Sequence, residues 1–294
     1  MKKTISRVLR CGLLPGESRP VVERLNEPLR AHLEVKLGIK VELVVGSSYV
    51  ATGEALRRGE IDIAYLGPVT YILQSRGVAL EPFARPTHVG STGPTFRAAI
   101  IVAADSPVLT LAELRGCEFA VGDLASTSGS WVPRHMLLEA GLSQERDYTR
   151  RVLGAHDAVA DAVAHHRVAA GGLHLTVLRR LIAEGRLEAD AVRVLAESAP
   201  IPEYMWTFRE GLPVALREAL RRAFIELRDP QALRVFNAEA FIPAVDADVD
   251  RVRYWMEQIL DAPLRKRTHP PALSGVQCET AEAQVLRWRP RVVS

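Results

Sequence analysis

Cysteine is scarce in this chain: there are three in 294 residues, Cys11, Cys117 and Cys278. The number is odd, the spacings are wide and no C-x-x-C pair occurs, so neither a disulfide framework nor a zinc site is signalled. Long apolar runs are also missing. The stretch "AAIIVAA" at residues 98–104 falls far short of the ~20 residues that cross a bilayer, so the chain reads as soluble, with no direct membrane insertion. A strong charge of one sign is missing too. The formal net charge is +3, and no basic run exceeds "LRKR" at residues 264–267, which argues against nucleic-acid binding. One small anion would suit so mild a balance. The sequence holds no G-x-S-x-G turn, no G-x-G-x-x-G fingerprint and no P-loop, so a hydrolase and a nucleotide cofactor both lack their usual marks. No cofactor is expected. His165, His166 and His174 lack metal-ligand spacing, and no metal is expected. "MKK" has the charge of an export signal, but Arg7 and Arg10 interrupt the stretch that should be apolar. Arg10 also precedes Cys11, where it does not suit a lipoprotein cleavage site. That reading expects no export signal.

What is present alternates between strand and helix patterns. "ISRVLRCGLLP" (5–15), "IKVELVVG" (39–46) and "IDIAYLG" (61–67) read as strands. Between and after them, "SRPVVERLNEPLRAHLEVKLG" (18–38), "SSYVATGEALRRGE" (47–60) and "PVTYILQSRG" (68–77) carry helical spacing and helix-start residues. A second round follows residue 104, with strands at 117–122, 149–154 and 168–173 and a helix at 156–167. Helical spacing returns at 212–229 and 245–260, and the last thirty or so residues show no period. The rhythm predicts an α/β chain of helices on mainly parallel sheets.

The two rounds resemble each other. Residues 48–66 align with 155–173 without a gap, which pairs Ala55 with Ala162, Ile61 with Val168 and Tyr49 with His156. Tyr49 and His156 then stand at equivalent helix starts, beyond the carboxyl ends of strands, where open α/β sheets bind ligands.

The densest chemical signal is "VGDLASTSGSWVPRHMLLEAG" at 121–141. Ser126, Thr127, Ser128 and Ser130 surround Gly129 just ahead of a helical pattern. A helix start exposes unpaired N–H groups and a partial positive charge, so it attracts anions. Short hydroxyl side chains add donors without bulk, and glycine lets backbone approach a ligand. His156 can donate to an oxyanion and, if protonated, add charge. Asp157 reads as a helix cap.

Four segments, "GEIDIAYLGPVTYIL" (59–73), "STSGSWVPRHML" (126–137), "HDAVADAV" (156–163) and "SAPIPEYMWTFREGLP" (198–213), occur in an order and spacing that resembles the phosphate-, phosphite- and phosphonate-binding proteins of ABC transporters. These form the PhnD-like branch of the type II periplasmic binding proteins. The resemblance covers about residues 5–260. It implies a two-lobe fold, with residues 1–98 and 203–294 as a discontinuous first lobe and 99–202 as the second. Two crossover strands near 98–104 and 195–202 would form the hinge, and the ligand would lie between the lobes. It carries oxyanion-holding roles onto Ser126, Thr127, Ser128 and His156, and a ligand-facing aromatic role onto Tyr49. Phe96 stands where family members often have a tyrosine. Relatives that take aminoalkyl phosphonates carry acids near the positions of Thr176 and Tyr204; here both are absent, although Glu203 is adjacent. The resemblance therefore implies a small ligand such as phosphite, methylphosphonate or phosphate, caged by Tyr49, Phe96 and Tyr204.

The expected function is a solute-binding protein, not an enzyme, that delivers such an anion to an ABC transporter permease. Its expected location is periplasmic by resemblance. A cytoplasmic ligand-sensing module of the same fold is the rival reading, favoured by the expected lack of an export signal.

Overall fold

The computed structural model describes residues 8–88 and 93–261. The periodless tail, the "LRKR" run, Cys278 and the "MKK" start lie outside the described residues. The described chain forms two compact units, one from residues 8–88, 93–96 and 200–250 and the other from 97–199 and 251–261.

In the first unit six strands form one sheet, in the order Ala240–Ile242, Glu81–Thr87, Met205–Phe208, Ile63–Leu66, Leu9–Leu13, Val41–Val45. The last three are parallel, joined by the helices Arg19–Leu37 and Tyr49–Arg57. The first helix has Pro20 as its second residue and turns Val22, Asn26, Leu29 and Leu33 inward, the i, i+4, i+7 spacing of a buried stripe. Against it packs an aromatic core. Phe83 stacks on Phe208 at 3.8 Å, and Phe224 meets Phe83, Trp206 and Phe241 at 5.0–5.3 Å between centroids. Truncating one such ring to alanine costs about 3–5 kcal/mol.

The second unit's sheet runs Val192–Glu197, Ala98–Ala103, Ala170–His174, Glu118–Val121, Thr149–Val152. Its last three strands are again parallel. Strand Ala170–His174 is crowded on its face: a Cβ on Gly172 would come within 2.5 Å of Pro133 and one on Gly171 within 2.5 Å of Val159. The glycines of "AAGGL" are thus where two helices press onto the sheet.

Three expectations need adjustment. The sheets are mixed rather than mainly parallel, because Met205–Phe208, Glu81–Thr87, Ala98–Ala103 and Val192–Glu197 join antiparallel from outside the strand–helix–strand series. The passage expected near residues 98–104 lies just ahead of them, since every residue of Ala98–Ala103 is buried inside the second sheet. A continuous apolar run suits a strand covered on both faces. The chain passes between units at 96/97 and 199/200. The short strands Thr95–Phe96 and Ile201–Pro202 pair beside those passages.

The third adjustment concerns the chain after residue 202, expected in the first lobe throughout. It leaves the first unit at 250/251. Helix Asp250–Asp261 makes its contacts in the second unit, with Gln258 Oε1 2.8 Å from His135 Nε2 and the Trp255 ring 5.7 Å from that imidazole.

Candidate functional site

The hydroxyl-rich loop follows strand Glu118–Val121 in the second unit and is tied inward by its own residues. Asp123 Oδ1 accepts from the Ala125 N–H at 2.8 Å, and the Trp131 indole donates to the Leu124 carbonyl at 2.9 Å. Ser126 Oγ accepts from the Gly129 N–H at 3.0 Å. Residues Thr127–Trp131 make a π-helical turn, closed by the Trp131 N–H onto the Ser126 carbonyl at 3.1 Å, before helix Val132–Glu139 begins. Such widened turns recur at functional positions.

Ser126, Thr127 and Ser128 have no exposure, and Ser130 has 5%. Hydroxyls so buried are normally hydrogen-bonded. Ser126 is, as the cap of the turn. Ser128 Oγ has no partner. The same holds for a second buried atom, Nδ1 of His156. His156 is the first residue of helix His156–Ala164 and is 3% exposed. Its ring lies against the turn: a Cβ on Gly129 would stand 3.0 Å from His156 Cε1 and 2.9 Å from Ser126 Oγ. Only glycine lets the turn and the imidazole approach so closely. The structure therefore brings Ser126, Thr127, Ser128 and His156 to one place.

Burial pushes the His156 imidazole down to about 4, with Asp157 opposing and Arg180 adding a further push downward. The ring is neutral at neutral pH, so the added positive charge considered from the sequence does not arise in the unliganded protein. Each unpaired buried polar atom costs about 1–3 kcal/mol. Helix His156–Ala164 has no side-chain cap, its cap position being Ala155. Asp157 sits one residue inside the helix, where its carboxylate accepts from the Ala158 N–H and pairs with Arg186 at 3.0 Å.

The three aromatic candidates belong to the first unit. Tyr49 opens helix Tyr49–Arg57 behind the cap Ser48, whose Oγ accepts from the Ala51 N–H at 3.0 Å. Phe96 and Tyr204 are brought together, with centroids 5.3 Å apart. Tyr49, Phe96 and Tyr204 are all buried. Sequence reasoning missed what stands behind Tyr204. Tyr65 lies 5.3 Å from its ring and hydrogen-bonds Glu203. Glu203, itself buried, also accepts from the Tyr204 N–H at 2.9 Å and meets His88 Nε2 at 2.9 Å. An acid inside the apolar run "PEYMW" was the signal available.

The family model described as "ABC transporter, phosphonate, periplasmic substrate-binding protein" matches residues 11–249. The chain belongs to this family. Among relatives, it is 25% identical over 264 residues to the phosphate-import protein PhnD of Mycolicibacterium smegmatis, covering 82% of each chain. It is 25% identical to the phosphonates-binding periplasmic protein of Escherichia coli, over 81% of this chain and 71% of that one. Among solved structures, a binding-protein component of an ABC phosphonate transporter from Pseudomonas aeruginosa superposes with a TM-score of 0.81 at 20% identity. It covers 86% of this chain and 87% of its own. PhnD1 of Prochlorococcus marinus, solved with methylphosphonate, gives a TM-score of 0.77 at 18% identity, covering 86% and 98%. These likenesses establish the type II periplasmic-binding-protein fold. Among the described residues, no helix of this substrate-binding protein is long and apolar enough to cross a membrane.

Proposed function

We propose that this substrate-binding protein captures a small phosphorus oxyanion, namely phosphite, methylphosphonate or phosphate, and hands it to the permease of an ABC transporter in the periplasm. The observation that carries the reading is the pair of buried, partnerless atoms, Ser128 Oγ and His156 Nδ1. Ser128 supplies a hydroxyl donor. His156 supplies a neutral N–H when its Nδ1 tautomer is selected by the ligand. Ser126 and Thr127 contribute backbone and hydroxyl groups of the same turn. Buried neutral donors suit an anion whose charge is spread over several oxygens.

Tyr49, Phe96 and Tyr204 complete the proposed ligand set. Phe96 offers an apolar face to a P–H or P–CH₃ vertex, which a fourth anionic oxygen would find without a donor. Glu203 is not a free acid for an ammonium group, because His88, Tyr65 and the Tyr204 N–H already occupy its oxygens. That supports a ligand without an amino group. The reading is of binding without catalysis, as the family of substrate-binding proteins supports, and Asp157, the acid beside His156, is engaged by Arg186.

Isothermal calorimetry with phosphite, methylphosphonate, phosphate and aminoethylphosphonate tests the assignment. The first three should give measurable heats, at least one with submicromolar affinity, and the fourth should bind weakest. Silence from all four would refute the phosphorus assignment.

A further inference from the structure

The buried acid behind Tyr204 has a partner whose protonation the geometry dictates. His88 Nδ1 lies 2.6 Å from the Asn237 carbonyl, and its Nε2 lies 2.9 Å from Glu203 Oε2. A carbonyl only accepts, so Nδ1 carries a hydrogen. A carboxylate oxygen at hydrogen-bond distance from Nε2 then requires a second proton between ring and acid. Both groups are sheltered, with side chains 13% and 5% exposed. The other carboxylate oxygen takes the Tyr204 N–H, and the Glu203 N–H donates to the Pro94 carbonyl at 3.0 Å. The acid therefore clamps the backbone that carries Tyr204 and, through His88, links it to Asn237.

We propose that His88 and Glu203 are positioning residues for Tyr204: the proton they hold between them fixes the backbone at 203–204 and, with it, the tyrosine ring that packs on Phe96. The proposal rests on the assignment of Tyr204 to the ligand. The groups that act on the imidazole are Glu203, which both bonds and attracts it, and Glu239, which attracts it; Tyr65 reaches it through the shared carboxylate. Both acids hold the proton on, so His88 titrates above its ordinary 6.5 despite burial. Once pH passes that raised value, a neutral ring has one hydrogen for two acceptors, one contact fails and the clamp loosens.

The test begins without ligand. The ring signal of Tyr204 in protein carrying carbon-13-labelled tyrosine, assigned by Tyr204→Phe, is followed between about pH 6 and 9. In the natural protein it should pass through one transition; in His88→Gln, whose amide donates but does not titrate, the transition should vanish. Glu203→Gln, which takes away the acid that holds the proton on the ring, should move the transition to lower pH, so that poor folding of one variant does not stall the test. A Tyr204 signal unmoved by pH, or a transition that both substitutions leave in place, overturns the proposal. The second arm measures methylphosphonate affinity in the same buffers, where the ligand's own ionisation cancels in the ratio of natural protein to His88→Gln. That ratio should fall by about fivefold as pH rises; a constant ratio overturns the role in binding. If the natural protein takes neither methylphosphonate nor phosphite at any pH, the ligand class fails, while the tyrosine signal still decides the positioning.

Discussion

In the first unit, strand Leu9–Leu13 lies between Val41–Val45 and Ile63–Leu66, all parallel; in the second, Glu118–Val121 lies between Thr149–Val152 and Ala170–His174 in the same sense. Each has a nine-residue helix that opens on a buried polar ring, Tyr49 in one and His156 in the other. The furnishing differs. The first unit's helix is capped by Ser48, the second's only by Ala155, which has no side-chain acceptor. After the central strand the first unit turns through "LPGES" with Glu17 buried, whereas the second turns through "DLASTSGS". At these matched helix starts the first unit has a side-chain cap, whereas the second leaves Ser128 Oγ and His156 Nδ1 without partners.

The largest test of that contrast is Gly129→Ala. The added Cβ would displace Ser126 Oγ or the His156 ring, and ligand affinity should drop about a hundredfold or more by calorimetry; retained binding would remove the turn from the site. Next is pH. Since the His156 imidazole is held near 4 when folded and near 6.5 when unfolded, the unfolded chain binds the extra proton between those values. Stability of the unliganded protein should therefore fall as pH drops through that window, by about 3 kcal/mol in full. Urea melts of the natural protein and His156→Gln at both ends should differ by most of that amount. Ser128→Ala should weaken binding by about 1–3 kcal/mol while leaving the unliganded protein equally or more stable, because the hydroxyl it removes has no partner. A matched loss of stability would mean that the hydroxyl has a structural role.

Ser48→Ala is the counterpart in the first unit. It removes a made hydrogen bond, so it should cost about 1 kcal/mol in urea melts. The smallest effect belongs to Phe96→Tyr, which adds a donor to the proposed apolar wall. Phosphate should gain about threefold over methylphosphonate in competition calorimetry, and an unchanged ratio would detach Phe96 from specificity.

Much of this was legible in the sequence. The alternation of "VELVV" and "YVATGEALR" with glycine and serine breaks marks strands and helices directly, and the ungapped alignment of 48–66 with 155–173 put Tyr49 and His156 at matching helix starts. The cluster of hydroxyls around Gly129 signalled a donor-rich turn. Other features were hidden for physical reasons. Strand Glu81–Thr87 contains Pro82 and Pro86, which cannot donate to a ladder. Its pairing to both neighbours is decided by tertiary packing. Helix Leu175–Ala183 follows "GGLH" without a clear break, its cap being the imidazole of His174, which accepts from the Thr176 N–H. The His88–Glu203 contact joins residues 115 apart, and no local pattern encodes it.

The helix Asp250–Asp261 has a practical consequence. Because Trp255 and Gln258 pack on His135 of the second unit, a gene fragment coding for 97–199 alone would leave that surface bare. A stand-alone version of the second unit needs residues 251–261 stitched back onto it, and a truncation before residue 250 trims both units at once.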